Sequence, residues 1–214
     1  MLSLIIFIPL FAALGLTIVS KDNIAIIRMV AISAASASFV LSLWLLFKFD
    51  VSNPEMQFVQ MLHWVPALHI KYLVGVDGIS LWMVVLTAFL GIIAIFFSFT
   101  QKEGLRNFLA LMLALEAGTL GVFLALDTIL FYVFWELMLI PTYFLIGIWG
   151  EGRRVYATMK FVVYTLVGSL MMLVAILALT MIHYGATNDV TFDLRVLNHT
   201  HIYSFSQMRM FCFF

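Results

Sequence analysis

The sequence predicts an all-α fold, a polytopic transmembrane bundle of about six helices. Three observations carry that expectation. Hydrophobic residues fill 64% of the 214 positions and charged residues 10%, whereas a soluble domain is nearer half apolar and a quarter charged. Apolar runs of about 20 residues, the length that crosses hydrocarbon, recur along the chain. Lys and Arg collect on alternate connections between those runs, as they do in multi-pass proteins.

Residues 1–20 carry no charge, and Lys21-Asp22 closes them. They lack a basic start and a small-residue cleavage site, so they read as an uncleaved first span and not as a signal peptide. Residues 29–47 form a second span, 78–101 a third, 107–126 a fourth interrupted by Glu116, 128–149 a fifth holding Glu136, and 156–183 a sixth with Lys160 near its start. Between the second and third spans, residues 48–77 stay apolar. Pieces 58–65 and 69–76 read as a hairpin lying on the bilayer surface. Asp77 and Asp127 sit at helix starts, and Asp77 reads as a cap or dipole partner of the third span. Residues 184–204 are polar, with Asn188-Asp189 as a turn signal. Residues 204–214 resemble the start of a seventh span, too short to cross. The chain therefore divides into three parts: 1–106 with the first three spans, 107–183 with the fourth to sixth, and 184–214, a polar loop with a truncated helix.

The Lys/Arg bias sets the orientation. Lys21, Arg28, Lys102, Arg106, Arg153, Arg154 and Lys160 share one side, against Lys48, Lys71 and Arg195 on the other. The first side is then cytoplasmic or matrix-facing, with the N-terminus outside.

Composition also excludes several functions. Eleven basic residues balance eleven acidic ones, so no basic surplus speaks for nucleic acid. Cys212 is the one cysteine, which excludes an intrachain disulfide and a cysteine cluster. His63, His69, His183, His199 and His201 show no HExxH or other close metal spacing, and His199 and His201 read as solvated. The Asn198-His-Thr200 sequon carries no weight.

The ionisable residues inside the spans are the functional candidates. A carboxylate near mid-bilayer costs roughly 2.5–3.5 kcal/mol on insertion scales, so Glu136 needs a use or a partner. Glu116 lies eleven residues before Asp127 and Glu136 nine after it. At 1.5 Å per residue both sit ~14–16 Å from the tip of the hairpin that the fourth and fifth spans form. Burial raises carboxylate pKa values and two ionised carboxylates at one depth repel, so at least one is expected to be protonated or paired. Pro141 removes the helical donor of the Leu137 carbonyl, which offers a seat for water beside Glu136; tolerance of a proline in a membrane helix is the plainer alternative. By the same arithmetic Glu136 is level with about Gly168-Ser169, and Lys160 is offset from it by ~12 Å, too far for a direct salt bridge. A snorkelling lysine is the plain alternative for Lys160, and an interhelical hydrogen bond that for Glu116.

The stretch Glu136-Leu-Met-Leu-Ile-Pro-Thr-Tyr-Phe-Leu-Ile-Gly-Ile-Trp-Gly150 closely resembles the antiporter-like subunit M (subunit 4) family of NADH–quinone oxidoreductase, respiratory complex I. Tyr72–Ser80, Glu116–Asp127 and Lys160–Leu166 resemble the same family, and the resemblance covers about residues 1–200. It implies that Glu136 is a principal protonatable residue of a proton channel, Glu116 an auxiliary carrier and Lys160 a candidate channel cation. It also implies that the subunit holds no redox cofactor. NADH, FMN, iron–sulfur clusters and quinone belong to other subunits, and the partners are the other membrane-arm subunits and the lipid bilayer. A bacterial plasma membrane is the expected location, with the mitochondrial inner membrane as alternative. Full-length members of the family have about fourteen helices in two inverted repeats, so the lysine expected to partner Glu136 falls beyond residue 214. A non-conducting truncated remnant and a multisubunit sodium/proton antiporter component are the competing readings.

Overall fold

In the computed structural model, which describes residues 1–53, 55–101 and 103–198, helices form where the apolar runs lie. They are α1 (Leu2–Ile18), α2 (Ile24–Lys48), α3 (Gly78–Phe97), α4 (Leu105–Leu124), α5 (Thr128–Trp149), α6 (Arg154–Thr187) and the short α7 (Leu194–Leu197). Helices α2 to α6 are long and apolar enough to cross a membrane, α3 with the 3-10 turn Ser98–Thr100 that extends it. With 17 residues, α1 is shorter. At 34 residues, α6 is ~51 Å long and outruns the ~30 Å hydrocarbon layer. The fold is the expected all-α membrane bundle. Lys102, His199, Thr200, His201, Cys212 and the apolar stretch 204–214 lie outside the described residues.

The centre of the bundle is α4, packed by α1, α3 and α5. Near one end, Leu2, Ile5, Val84, Leu120 and Leu124 form one apolar cluster. Toward the other, Leu16, Ile27, Ala31, Ile95, Leu109 and Leu113 form a second. The buried stripe of α2 is Ala31, Ala34, Ala35, Ser38 and Ser42, small residues that allow close backbone approach where lipid gives no hydrophobic drive between helices. The Ser38 hydroxyl donates to the Ile5 carbonyl across that contact at 3.4 Å.

One end, called inner here, carries the larger basic group. Arg28 donates to the Phe99 carbonyl at 2.8 Å, and Arg106 donates to the carbonyls of Thr17 and Val19 at 3.3 and 3.0 Å. These cations satisfy carbonyls left open where α1 and the turn after α3 end.

The outer end is closed by the hairpin. Strands β1 (Gln57–Val65) and β2 (Ile70–Val76) pair antiparallel. Pro66–Leu68 makes a 3-10 turn, and His69 takes the left-handed conformation at φ 57°. The pairing is as the sequence suggests, and the structure adds the protein side of its setting: β2 is tucked across the helix ends, with Leu73, Val74 and Val76 fully buried, while β1 is largely exposed. Its backbone finds partners there, since the Leu126 N–H donates to the Leu73 carbonyl at 2.8 Å. The Tyr72 hydroxyl donates to Ser3 Oγ at 3.0 Å, and Ser3 Oγ donates to Gln60 Oε1 at 2.7 Å. On the other flank of the α4–α5 turn, the Thr128 N–H donates to the Phe192 carbonyl and the Leu194 N–H to the Leu126 carbonyl.

Candidate functional site

The α4–α5 hairpin positions both membrane carboxylates. Its turn is held by Asp127, which is 1% exposed. Asp127 Oδ1 accepts the N–H groups of Ile129 and Leu130, both at 3.0 Å, and Oδ2 accepts the Lys71 N–H of β2 at 3.1 Å. Burial, outweighing these three donors, raises the Asp127 carboxyl above the ordinary carboxylate range. Asp77 caps α3 as its position suggests, accepting from Ser80 and Ile79 at 2.7 and 3.2 Å while the Ser80 hydroxyl accepts from the Asp77 N–H. Asp193, which the sequence does not flag, caps α7 and pairs with Arg195 at 2.7 Å. Burial raises the Asp193 carboxyl, but the Arg195 contacts prevail and hold it below its usual range.

Two glycines of α4 set the register of the hairpin. A Cβ on Gly121 would stand 2.3 Å from the Phe134 ring, and one on Gly118 would stand 2.7 Å from Met138 Cγ. Gly121 thus faces Phe134, and Gly118 faces Met138. Continued along both helices, this places Glu116 level with about Leu139–Ile140, so Glu136 lies ~5 Å nearer the outer end. The two acids are at similar depth, as the residue count suggests, but they face different neighbours.

Glu116 is 5% exposed. Its carboxyl lies against Gly91 of α3, and neither of its oxygens has a hydrogen-bond partner among the described residues. Glu136 is half-buried and opens on a cleft of about 600 Å³ between α5 and α6, walled by Leu137, Ile140, Val162 and Leu166. Its Oε1 is buried without a partner. The Tyr132 side chain, one turn earlier on α5, faces both Glu136 and Ser169 of α6. Ser169 is 3% exposed and stands where the helix-rise arithmetic sets the level of Glu136. The helix runs unbroken through Pro141, and the Thr142 hydroxyl donates to the Met138 carbonyl at 2.8 Å.

Lys160 does not join either acid. It is exposed on α6, its Nζ 4.7 Å from the centre of the Tyr156 ring. Among the described residues the one ion pair is Arg195–Asp193, in keeping with the ~12 Å offset from Glu136. Nor, among these residues, do three His, Cys, Asp or Glu side chains gather as a metal site. Sequence reasoning missed Gly91 and Tyr132. The signals available were a lone glycine inside an apolar span and an i, i+4 spacing to Glu136.

These features define a class: a multi-pass helical membrane protein that keeps two carboxyl groups at depth with no cation beside them among the described residues. The family model described as "NADH:quinone oxidoreductase/Mrp antiporter, TM" matches residues 125–214. NADH-quinone oxidoreductase subunit M of Rhodobacter capsulatus is 44% identical over 197 residues, covering 89% of this chain and 38% of the relative. Residues 125–214 thus carry the pattern of this NADH:quinone oxidoreductase/Mrp antiporter family, and most of the chain is similar to its subunit M relatives. A chain of respiratory complex I from Thermus thermophilus with bound NADH superposes with a TM-score of 0.82 at 27% identity, covering 99% of this chain and 42% of that one. A chain of the Mrp complex from Dietzia sp. DQ12-45-1b gives a TM-score of 0.70 at 20% identity, over 89% of this chain and 20% of that one, a likeness of fold alone. The chain spans well under half the length of each of these proteins.

Proposed function

We propose that this chain forms part of a proton path in the membrane arm of an NADH:quinone oxidoreductase. The observation that carries the reading is Glu136: a carboxylate in the middle of α5, with one oxygen buried and unpartnered, opening on the α5–α6 cleft. An ionised acid there is expensive, and gaining a proton removes the expense. A carboxyl placed where a proton can be taken up and passed on is what a proton path requires. Glu136 is the principal carrier and Glu116 the auxiliary one. Lys160, offset along α6, acts on Glu136 only through intervening water. The chain is a translocating component with no redox chemistry of its own; NADH, FMN, iron–sulfur clusters and quinone are handled by partner subunits of the membrane assembly. The subunit M relatives support this reading, as does the Thermus complex. The bacterial relatives favour a bacterial plasma membrane.

The test is Glu136→Gln in the complete, assembled subunit. NADH-driven proton pumping should fall to a small fraction, with assembly retained. Normal pumping by that variant would sink the assignment. Because the family model also spans Mrp antiporters, the same membranes should be assayed for sodium-dependent proton exchange; a sodium requirement that Glu136→Gln abolishes would favour the antiporter reading instead.

A further inference from the structure

Gly91 stands in the interior of α3, where glycine is a poorer helix residue than alanine. What its missing side chain makes room for is specific. The three atoms nearest to a Cβ built on Gly91 are Cδ, Oε2 and Oε1 of Glu116, at 2.7, 2.8 and 2.9 Å. Apart from the local backbone of α3 itself, no other atom of the described residues comes as near. The glycines of α4 differ, since Gly118 and Gly121 make room for the apolar Met138 and Phe134. Three nearly equal distances mean that the Glu116 carboxyl presents its face to bare α3 backbone.

That seat offers no hydrogen bond. Backbone N–H groups in mid-helix are engaged in their own ladder. Helices α1 and α3, both packed on α4, contain no titratable side chain. From α2 come only Arg28 and Lys48, near its two ends, and from α5 come Tyr132, Glu136 and Tyr143. None of them hydrogen-bonds Glu116. A carboxylate so placed is desolvated and unpaired, and the proton is the partner at hand that removes its charge.

We propose that Gly91 is the positioning residue of the Glu116 proton site: its missing side chain is the seat that holds the carboxyl against donor-free backbone, with the neutral acid as the resting form. This rests on the reading of Glu116 as an auxiliary proton carrier.

The experiment uses the complete subunit in the assembled membrane complex. The infrared carbonyl band of the protonated Glu116 is identified by its loss in Glu116→Gln and followed against pH, beside NADH-driven pumping. Gly91→Ala should fold, because the atoms it displaces are the free end of a flexible side chain. It should lose as large a share of coupled pumping as Glu116→Gln does, and no more when the two are combined. Gly91→Ser places a hydroxyl donor at the seat, so the titration midpoint of the band should fall. Should Gly91→Ser fail to assemble, Glu116→Asp withdraws the carboxyl from the seat and should lower the midpoint likewise. Absence of a Glu116 band at neutral pH, an unmoved midpoint, or a Gly91→Ala loss that persists undiminished on top of Glu116→Gln would overturn the proposal. Normal pumping by Glu116→Gln would instead remove Glu116 from the proton path, and the infrared result would then decide alone whether Gly91 seats it.

Discussion

Asp127 gives the sharpest stability prediction, because its two oxygens serve different elements. Oδ1 caps α5 through Ile129 and Leu130, and Oδ2 holds the Lys71 N–H of β2. In Asp127→Ala both functions go. Loss of an N-cap costs about 1 kcal/mol. The Lys71 N–H is left unpaired in a half-buried setting, at about another 1 kcal/mol, the low end for an orphaned donor. Asp127→Ala should therefore lose ~2 kcal/mol. Asp127→Asn keeps an acceptor for the cap but turns an NH2 toward Lys71, so it should lose ~1 kcal/mol. The assay is unfolding by titration with a denaturing detergent, followed by helix circular dichroism. Amide exchange at Lys71, Ile129 and Leu130 then assigns the loss: Asn should release Lys71 alone, and Ala all three. Equal midpoints for wild type and Ala, or Lys71 exchange unchanged in Asn, would refute the division of labour.

The same carboxyl makes a pH prediction. Its folded pKa is raised by burial, so the folded state binds the proton more readily than the unfolded chain does. Stability should rise as pH falls through the folded pKa, and level off near the free Asp value of about 4; the rise should vanish in Asp127→Asn. Gly121→Ala would drive a Cβ into the Phe134 ring, and such overpacking should cost ~1–3 kcal/mol in the detergent titration. Tyr72→Phe removes the donor to Ser3 Oγ and should cost ~1 kcal/mol, with faster amide exchange at the start of α1. Lys160→Ala removes an exposed cation–π contact and should shift stability by ~1 kcal/mol or less.

Helix positions were legible because a run of some 20 apolar residues has few other uses. The α4–α5 hairpin and the level of Ser169 followed from residue counts and helix rise. What each helix turns toward its neighbours was not legible. In a soluble bundle a polar face betrays the buried one; here lipid is as apolar as the core, and that contrast disappears. So Glu116 and Glu136 were placed at one depth, while their facings toward Gly91 on α3 and the cleft against α6 appeared only in the structure. The hairpin pairing was readable from its apolar strands. Its burial across the helix ends was not, because it depends on Asp127 and on the backbone of residues 126–128 and 192–194, far away in sequence.

The backbone stitching on the outer face also fastens the outer end of α5. Thr128, the first residue of α5, is tied to Phe192, and Thr180 near the end of α6 reaches the Thr191 carbonyl at 3.4 Å. A rod fastened at one end swings, and displacement along it grows with distance from the fastening. Glu136 is ~12 Å from Thr128, whereas the inner end of α5 is ~32 Å away. For a swing about that fastening, a shift of ~3 Å at the inner end would correspond to ~1 Å at Glu136, a gearing of about threefold set by position along the helix.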